Sequence, residues 1–314
     1  MKSYLDIVQK VLTKGKWKKP VRQQADGSAI ELDNDTLALP NQLFSHDMSD
    51  GFPLLTTKRM PINTILVELE GFIKGVTSKQ WFKDRHCNIW NSWANPEKVF
   101  NEYKLREKSL SPYQTKQEVA AELDDLGPIY GYQWRDFNGA YGDDILTTEA
   151  HNIKGADQLK GIVDTLHNNP YDRRMVCSAW NPNQIDKMAL PPCHYAWNVT
   201  VIDDEINLFW AQRSCDLMLG VPFNIASYAT LLMLLAKESG FKPGNLSGML
   251  VDCHIYRNHI EGAEEQLTRE PISLPKLEIK DRNGVFSIFN WQYEDFELSN
   301  YKYHPKINFG GVTV

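Results

Sequence analysis

The apolar positions of this chain alternate between helical and strand spacing. Leu5, Val8 and Leu12 share one helical face, Ile7 and Val11 widen it, and Gly15 follows, which predicts a helix over 3–14. Ile62, Ile65, Leu66, Leu69, Phe72 and Ile73 predict a second helix over 62–74, with Gly75 as its stop. Residues 175–180 read as a buried strand. Residues 195–202 and 205–211 alternate well enough for two strands joined in a hairpin at Asp203-Asp204. A long core helix is expected from Pro222 to Ser239, capped by Gly240, then a strand over 248–255 and a short helix over 257–267 that ends before Pro271. Between these elements, Lys14 to Arg22 reads as a basic loop and 23–36 as polar and turn-rich. Residues 95–125 read as a charged surface insertion, helical over Lys116 to Leu123. Helices and strands mix without strict alternation, so the expected fold is one α+β domain over 1–314, a mixed β-sheet packed with helices.

Leu217 to Ala236 carries no charge and is about as long as a membrane span. Gly220, Pro222, Asn224, Ser227 and Thr230 lie within it, which lipid would penalise, so a core helix and no membrane contact are expected. The formal net charge of −6 argues against a dedicated nucleic-acid binder, although local arginines could still hold a small anion. Five cysteines (Cys87, Cys177, Cys193, Cys215 and Cys253) make an odd set with no C-x-x-C pair, which indicates neither a disulfide framework nor a zinc knuckle. Together with an N-terminus that has no apolar signal region, this predicts a cytoplasmic protein.

Cys193 follows Pro191-Pro192, which hold the backbone rigid before the thiol. Nearby arginines would pull its pKa from about 8.5 toward neutrality and favour the nucleophilic thiolate. His194 is its neighbour, but adjacent strand residues point to opposite faces, so no Cys–His pair is implied. The other four cysteines read as structural, with Cys87 partly exposed among polar neighbours. Arg173-Arg174, just before a strand, and Arg213-Ser214, at the end of another, offer bidentate donors for a phosphate, with surface ion pairs an equally open reading of the first pair. Arg213 lies in a largely uncharged stretch, and a buried arginine calls for an anion.

Asn224 has two readings. It could cap the apolar helix, or its carboxamide could match the O4 acceptor and N3–H donor of uracil, where cytosine would prefer a carboxylate. His254 and Tyr256 share a strand face and could grip a sugar hydroxyl, whereas His254 and His259 are wrongly spaced for a helical zinc pair, so no metal is expected. Glu68 interrupts an apolar helix face, where a buried carboxyl has a raised pKa and can relay protons. Trp90 and Trp93 would share a helical face, as core or as a stacking platform for a flat heterocycle.

Several stretches together resemble the signatures of the thymidylate synthase family. They are Asp50 to Arg59, Leu126 to Gly131, Asp172 to Arg174, Ser178 to Asn181, Met188 to His194, Gln212 to Asp216, Gly220 to Tyr228 and His254 to Tyr256, in the family's order across nearly the whole chain. The resemblance implies a homodimer joined through the sheet and reductive methylation of dUMP to dTMP, with 5,10-methylenetetrahydrofolate as co-substrate. Cys193 would add to uracil C6 and turn C5 into a nucleophile toward the one-carbon unit, and hydride from the folate would complete the methyl group. Arg22, Arg213 and Ser214 would hold the phosphate, with Arg173 and Arg174 reaching across from the other subunit. Asn224 would read the uracil, and His254 with Tyr256 the ribose. Glu68, Tyr130, His194 and Gln212 would organise water and proton transfer. Asp216 would anchor the pterin. Trp90, Trp93, Leu190, Gly220, Phe223 and the tail with Val312, Thr313 and Val314 would pack on the folate, and Lys58 would meet its glutamate.

The chain also departs from the family. A Thr-Gly run usual after the N-terminal arginine is replaced by Gln23 to Ser28. Glu70-Gly71 stands where Leu-Trp is usual, altering a wall near the folate, and Pro61 and Asn91 replace His and Asp. These changes keep a second outcome in view, in which water quenches the methylene and the product is 5-hydroxymethyl-dUMP. A nucleotide-binding regulator without catalysis is the alternative from another class; it would not release tritium from the 5 position of dUMP.

Overall fold

The computed structural model of the chain describes residues 1–23, 29–31, 34–108, 115–142, 154–282, 284 and 286–309. The apolar face foreseen near the N-terminus forms helix α1 (Lys2–Lys14), which buries Tyr4, Ile7, Val8 and Val11. Among the described residues ten strands follow, and six of them make the central sheet. These are β1 (Lys16–Lys18), β4 (Thr36–Asp47), β5 (Val176–Ser178), β6 (His194–Ile202), β7 (Glu205–Asp216) and β8 (Lys242–Tyr256), in the order β1-β4-β8-β7-β6-β5. The β7–β8 pair is parallel and the other pairs are antiparallel, so the sheet is mixed. Two small antiparallel ribbons pair β2 (Val21–Gln23) with β3 (Ala29–Glu31) and β9 (Lys276–Ile279) with β10 (Phe296–Ser299).

The parallel pair needs a crossover, and helix α8 (Gly220–Ser239) supplies it. Among the described residues this is the one helix long and apolar enough to cross a membrane by length and composition. Its buried residues run from Val221 to Ala236, and it packs against β7 and β8, so it fills the core as the sequence predicts. Gly240 closes it in the left-handed conformation at φ 78°. Helix α2 (Ile62–Ile73) packs on α8 and on α6 (Tyr130–Asp136), and α7 (Gln158–Asn168) packs on α6, α8 and β5. Along β7, Ile206, Leu208, Trp210 and Gln212 face this helical layer and are buried, while Asn207, Phe209, Ala211 and Arg213 alternate onto a partly exposed face.

Two expectations need correction, and one long strand had none. The segment read as a basic loop contains β1 and the backbone of β2, because Lys16 to Lys18 pairs with Thr36 to Ala38. The long strand β4 is not foreshadowed by alternation: Pro40 and Asn41 interrupt it, and its pairing with β8 passes over Asn41, at φ 54°. The 95–125 segment begins with a further helix, α4 (Pro96–Lys108), which packs on α5 (Lys116–Glu122) around a small core of Ala94, Val99 and Val119. Lys79, in the short helix α3 (Lys79–Lys83), ties this pair to the body. Its ammonium is buried and donates to the carbonyls of Asn91, Trp93, Ala120 and Ala121.

Gly127 shows how tightly the loop before α6 is packed. Its φ is +75°, and a Cβ there would lie 1.9 Å from the Lys187 carbonyl oxygen. Gly127→Ala is expected to destabilise the fold by about 2–4 kcal/mol, from left-handed strain plus backbone overlap. A urea midpoint unchanged from the parent would refute this.

Candidate active site

Strand topology explains how distant motifs meet. In the β6–β7 hairpin, His194 at the start of β6 pairs with Gln212 near the end of β7. The Arg213 N–H donates to the Cys193 carbonyl (2.8 Å). The parallel β7–β8 pair then sets Ser214 beside Asp252 and Asp216 beside His254. Helix α8 starts just after β7, which brings Asn224 to the same end of the sheet. One sheet end therefore gathers a thiol, a guanidinium, two carboxamides, a carboxylate and an imidazole.

Cys193 is partly buried, and the other four cysteines are buried, Cys87 included, contrary to the exposure expected for it. The Cys193 N–H donates to the Tyr130 hydroxyl (2.8 Å). Burial pushes the thiol pKa up, and the Arg213 guanidinium and bonds from Tyr130 and Ser214 oppose that without reversing it. The expected fall toward neutrality therefore does not occur: the cation is present, but desolvation of a thiolate outweighs it. Arg213 spends its Nε on the Pro192 carbonyl (2.9 Å) and Nη2 on the Pro191 carbonyl (2.8 Å), bracing the two prolines before the nucleophile. Its guanidinium also lies 5.5 Å from the Trp180 ring centroid.

Asn224 is not the helix cap. Helix α8 begins at Gly220, with Leu219 at the cap position, and Asn224 lies one turn inside. Its Oδ1 accepts from Gln212 Nε2 (3.0 Å), which also donates to the Ser214 carbonyl (3.0 Å). Gly220 approaches the same place: a Cβ there would be 3.9 Å from Asn224 Oδ1 and 3.8 Å from Asp216 Cβ. Asp216 Oδ1 accepts from the N–H groups of Met218 and Leu219 (2.9 and 3.1 Å).

An aromatic column stands behind the thiol. Tyr130 stacks on His194 (centroids 4.3 Å) and on Phe72 (4.9 Å). The His194 Nδ1 shares a 2.8 Å hydrogen bond with the Tyr228 hydroxyl, and burial lowers its pKa to about 3, so the ring is neutral. Glu68 on α2 accepts from Trp90 Nε1 (3.1 Å), and burial raises its pKa to about 7. Trp90 is buried and Trp93 partly so, but they occupy a turn rather than the expected helix, with the Trp93 N–H on the Trp90 carbonyl (3.0 Å).

His254 and Tyr256 do lie side by side on β8, with ring centroids 5.2 Å apart, and His254 Nδ1 bonds the Asp252 carbonyl (3.0 Å). Lys58 is buried rather than extended toward solvent. Its ammonium donates to the Met218 carbonyl and lies 4.7 Å from the Phe309 ring centroid, and desolvation lowers its pKa to about 8. Leu190 and Phe223 remain partly exposed. Arg173 and Arg174 are exposed, and Arg174 bonds Asp172, so the single chain does not bring them to Cys193. The Arg22 side chain, Val312, Thr313 and Val314 fall outside the described residues. Among the described residues no cluster of three His, Cys, Asp or Glu side chains suits a metal ion.

The Glu70-Gly71 departure has a structural counterpart. A Cβ on Gly71 would lie 2.3 Å from Phe82 Cε1 and 3.2 Å from Trp81 Cζ3, so rings from α3 fill the space that a bulky residue at 71 would take. Glu70 is buried, pairs with Lys74, and accepts the Tyr293 N–H (2.9 Å). It fastens the C-terminal region to α2.

Sequence reasoning missed Trp210 and the role of Tyr228. Trp210 is two residues before Gln212, hence on the same strand face, and that spacing was the available signal.

Comparison with known proteins agrees with this geometry. The family described as Thymidylate synthase matches residues 2–312. Among curated relatives, the thymidylate synthase of Mycoplasma genitalium is 40% identical over 318 residues, covering all of both chains. That of Mycoplasma pneumoniae is 38% identical, again over all of both chains, and that of Mycoplasma mobile is 37% identical over 98% of each. The chain belongs to the thymidylate synthase family.

Proposed function

We propose that this protein converts dUMP to dTMP by reductive methylation, with 5,10-methylenetetrahydrofolate as co-substrate. The observation that carries the reading is the Gln212–Asn224 carboxamide pair at the same sheet end as the Cys193–Arg213 backbone pair. It offers a pyrimidine reader, a nucleophile and an anion-binding guanidinium together.

Cys193 would form a bond from sulfur to uracil C6, moving the C5–C6 electron pair toward C5 and O4. The thiol is held protonated by burial, so its proton would pass to a water admitted with the substrate as the ring arrives and the phosphate charge is met by Arg213 and Ser214. The guanidinium has five N–H donors, and the two proline carbonyls use two of them. Arg173 and Arg174 would add to the phosphate grip from a second subunit, joined through the partly exposed sheet face that carries Phe209. Asn224 Nδ2 would donate to O4, while Oδ1 accepts N3–H beside its bond from Gln212. His254 and Tyr256 would hold the ribose hydroxyl. The folate would supply the one-carbon unit and the hydride. Trp93, Leu190 and Phe223, partly exposed and apolar, fit a flat heterocycle, and the Asp216 carboxylate fits its polar edge. Mass analysis of the product from dUMP and methylenetetrahydrofolate tests the reading. A methyl group at C5 is expected, and a hydroxymethyl group would overturn it.

Glu68 would act as the neutral acid that relays a proton toward O4. Its carboxyl is raised to about 7, so the acid form dominates below that pH and is lost above it. kcat/KM is therefore expected to fall about tenfold per pH unit above 7, and Glu68→Gln should remove that limb at a lower plateau. The same limb persisting in the variant would assign it to another group.

A further inference from the structure

Whether Asn224 reads uracil or cytosine depends on which way its carboxamide points. Oxygen and nitrogen ends are nearly alike in shape, so the surroundings must decide. Gln212 faces Asn224, but Gln212 is itself a carboxamide and could turn the same way. The decision needs a group that can only donate or only accept.

Two such groups meet Gln212: the Ser214 backbone carbonyl, which only accepts, and Trp210, the one side chain of single polarity. An indole N–H donates and cannot accept. Trp210 Nε1 lies 3.1 Å from Gln212 Oε1, so the Gln212 oxygen must face it. Gln212 Nε2 then points at Asn224 Oδ1 and at the Ser214 carbonyl, both acceptors. This leaves Asn224 Nδ2 as the donor toward the ring, the polarity that uracil O4 requires and cytosine N4 opposes. The indole is itself held in place. It is fully buried, stacks on Tyr228 (centroids 5.3 Å, 12° between planes), and leans on Phe44 (5.7 Å). It also occupies the space over Gly248, its register partner on β8, where a Cβ would lie 2.3 Å from Cζ2.

We propose that Trp210 is a specificity-determining positioning residue, which fixes the polarity of the Gln212–Asn224 relay and so selects uracil over cytosine. The proposal rests on Asn224 reading the base. Trp210 does not touch the substrate; it acts through Gln212.

The test compares KM for dUMP with Ki for dCMP, both read by tritium release from [5-³H]dUMP. Trp210→Phe keeps a stacking ring and loses the N–H. The dCMP-to-dUMP discrimination is expected to fall about tenfold, an effect typical of one unpaired buried acceptor, with kcat for dUMP within about threefold of the parent. Trp210→Leu, which also lacks a donor, makes the same comparison if the Phe variant does not fold. Gln212→Met removes the relay, so adding Trp210→Phe to it should change the ratio no further. An unchanged ratio in the Phe or Leu variant, even with weaker binding of both nucleotides, would overturn the proposal. So would a further loss in the double variant. If the parent shows no preference for dUMP, the uracil reading fails first and takes the proposal with it.

Discussion

Cys193→Ala is expected to lower kcat by at least about 10⁴-fold while dUMP still binds, because loss of a nucleophile removes the covalent route and leaves the binding groups in place. Those groups do not depend on the thiol. Arg213 is braced by the carbonyls of Pro191 and Pro192, and the bond from its N–H runs to the Cys193 carbonyl, which alanine retains. The Cys193 N–H bond to Tyr130 is likewise a backbone bond. Equilibrium dialysis with dUMP, beside tritium release, separates the two effects. Turnover above a trace would end the covalent proposal, and loss of dUMP binding would mean that the sulfur anchors the site rather than reacting in it.

The second large effect is expected at Asn224. An aspartate there keeps an oxygen for Gln212 Nε2 and replaces the donor facing the ring with an acceptor. Uracil O4 then meets a carboxylate, and cytosine N4 meets a partner. Asn224→Asp should shift the dUMP-to-dCMP preference by about tenfold or more toward dCMP, since an unmatched buried polar group costs about 1–3 kcal/mol. Competition between the two nucleotides measures it. An unchanged ratio would remove Asn224 from the base-reading role.

Much of this site is legible in the residues themselves. The alternation over 195–202 and 205–211 predicts the hairpin that becomes β6 and β7, and that hairpin alone brings Cys193 beside Arg213. The uncharged run after Pro222 predicts α8 and its glycine stop. Other features depend on groups that meet only in three dimensions. The Cys193 thiol is a balance of desolvation against one guanidinium, and sequence supplies the cation but not the depth of burial. Asn224 is equally suited to cap or to read until the first turn of α8 is placed at Gly220. β4 hides behind Pro40 and Asn41, which break the alternation that marks a strand. Arg173 and Arg174 face solvent in one chain, so the phosphate role proposed for them would require a second subunit.

The close packing at Gly71 restricts what can be substituted there. The space beside Gly71 on α2 is filled by Phe82 and Trp81 from α3, with no room for a second bulky group. A large side chain restored at 71 would collide with Phe82 unless position 82 shrank as well. Positions 71 and 82 are therefore coupled through one shared volume, and bulk can be moved from one helix to the other only by changing both.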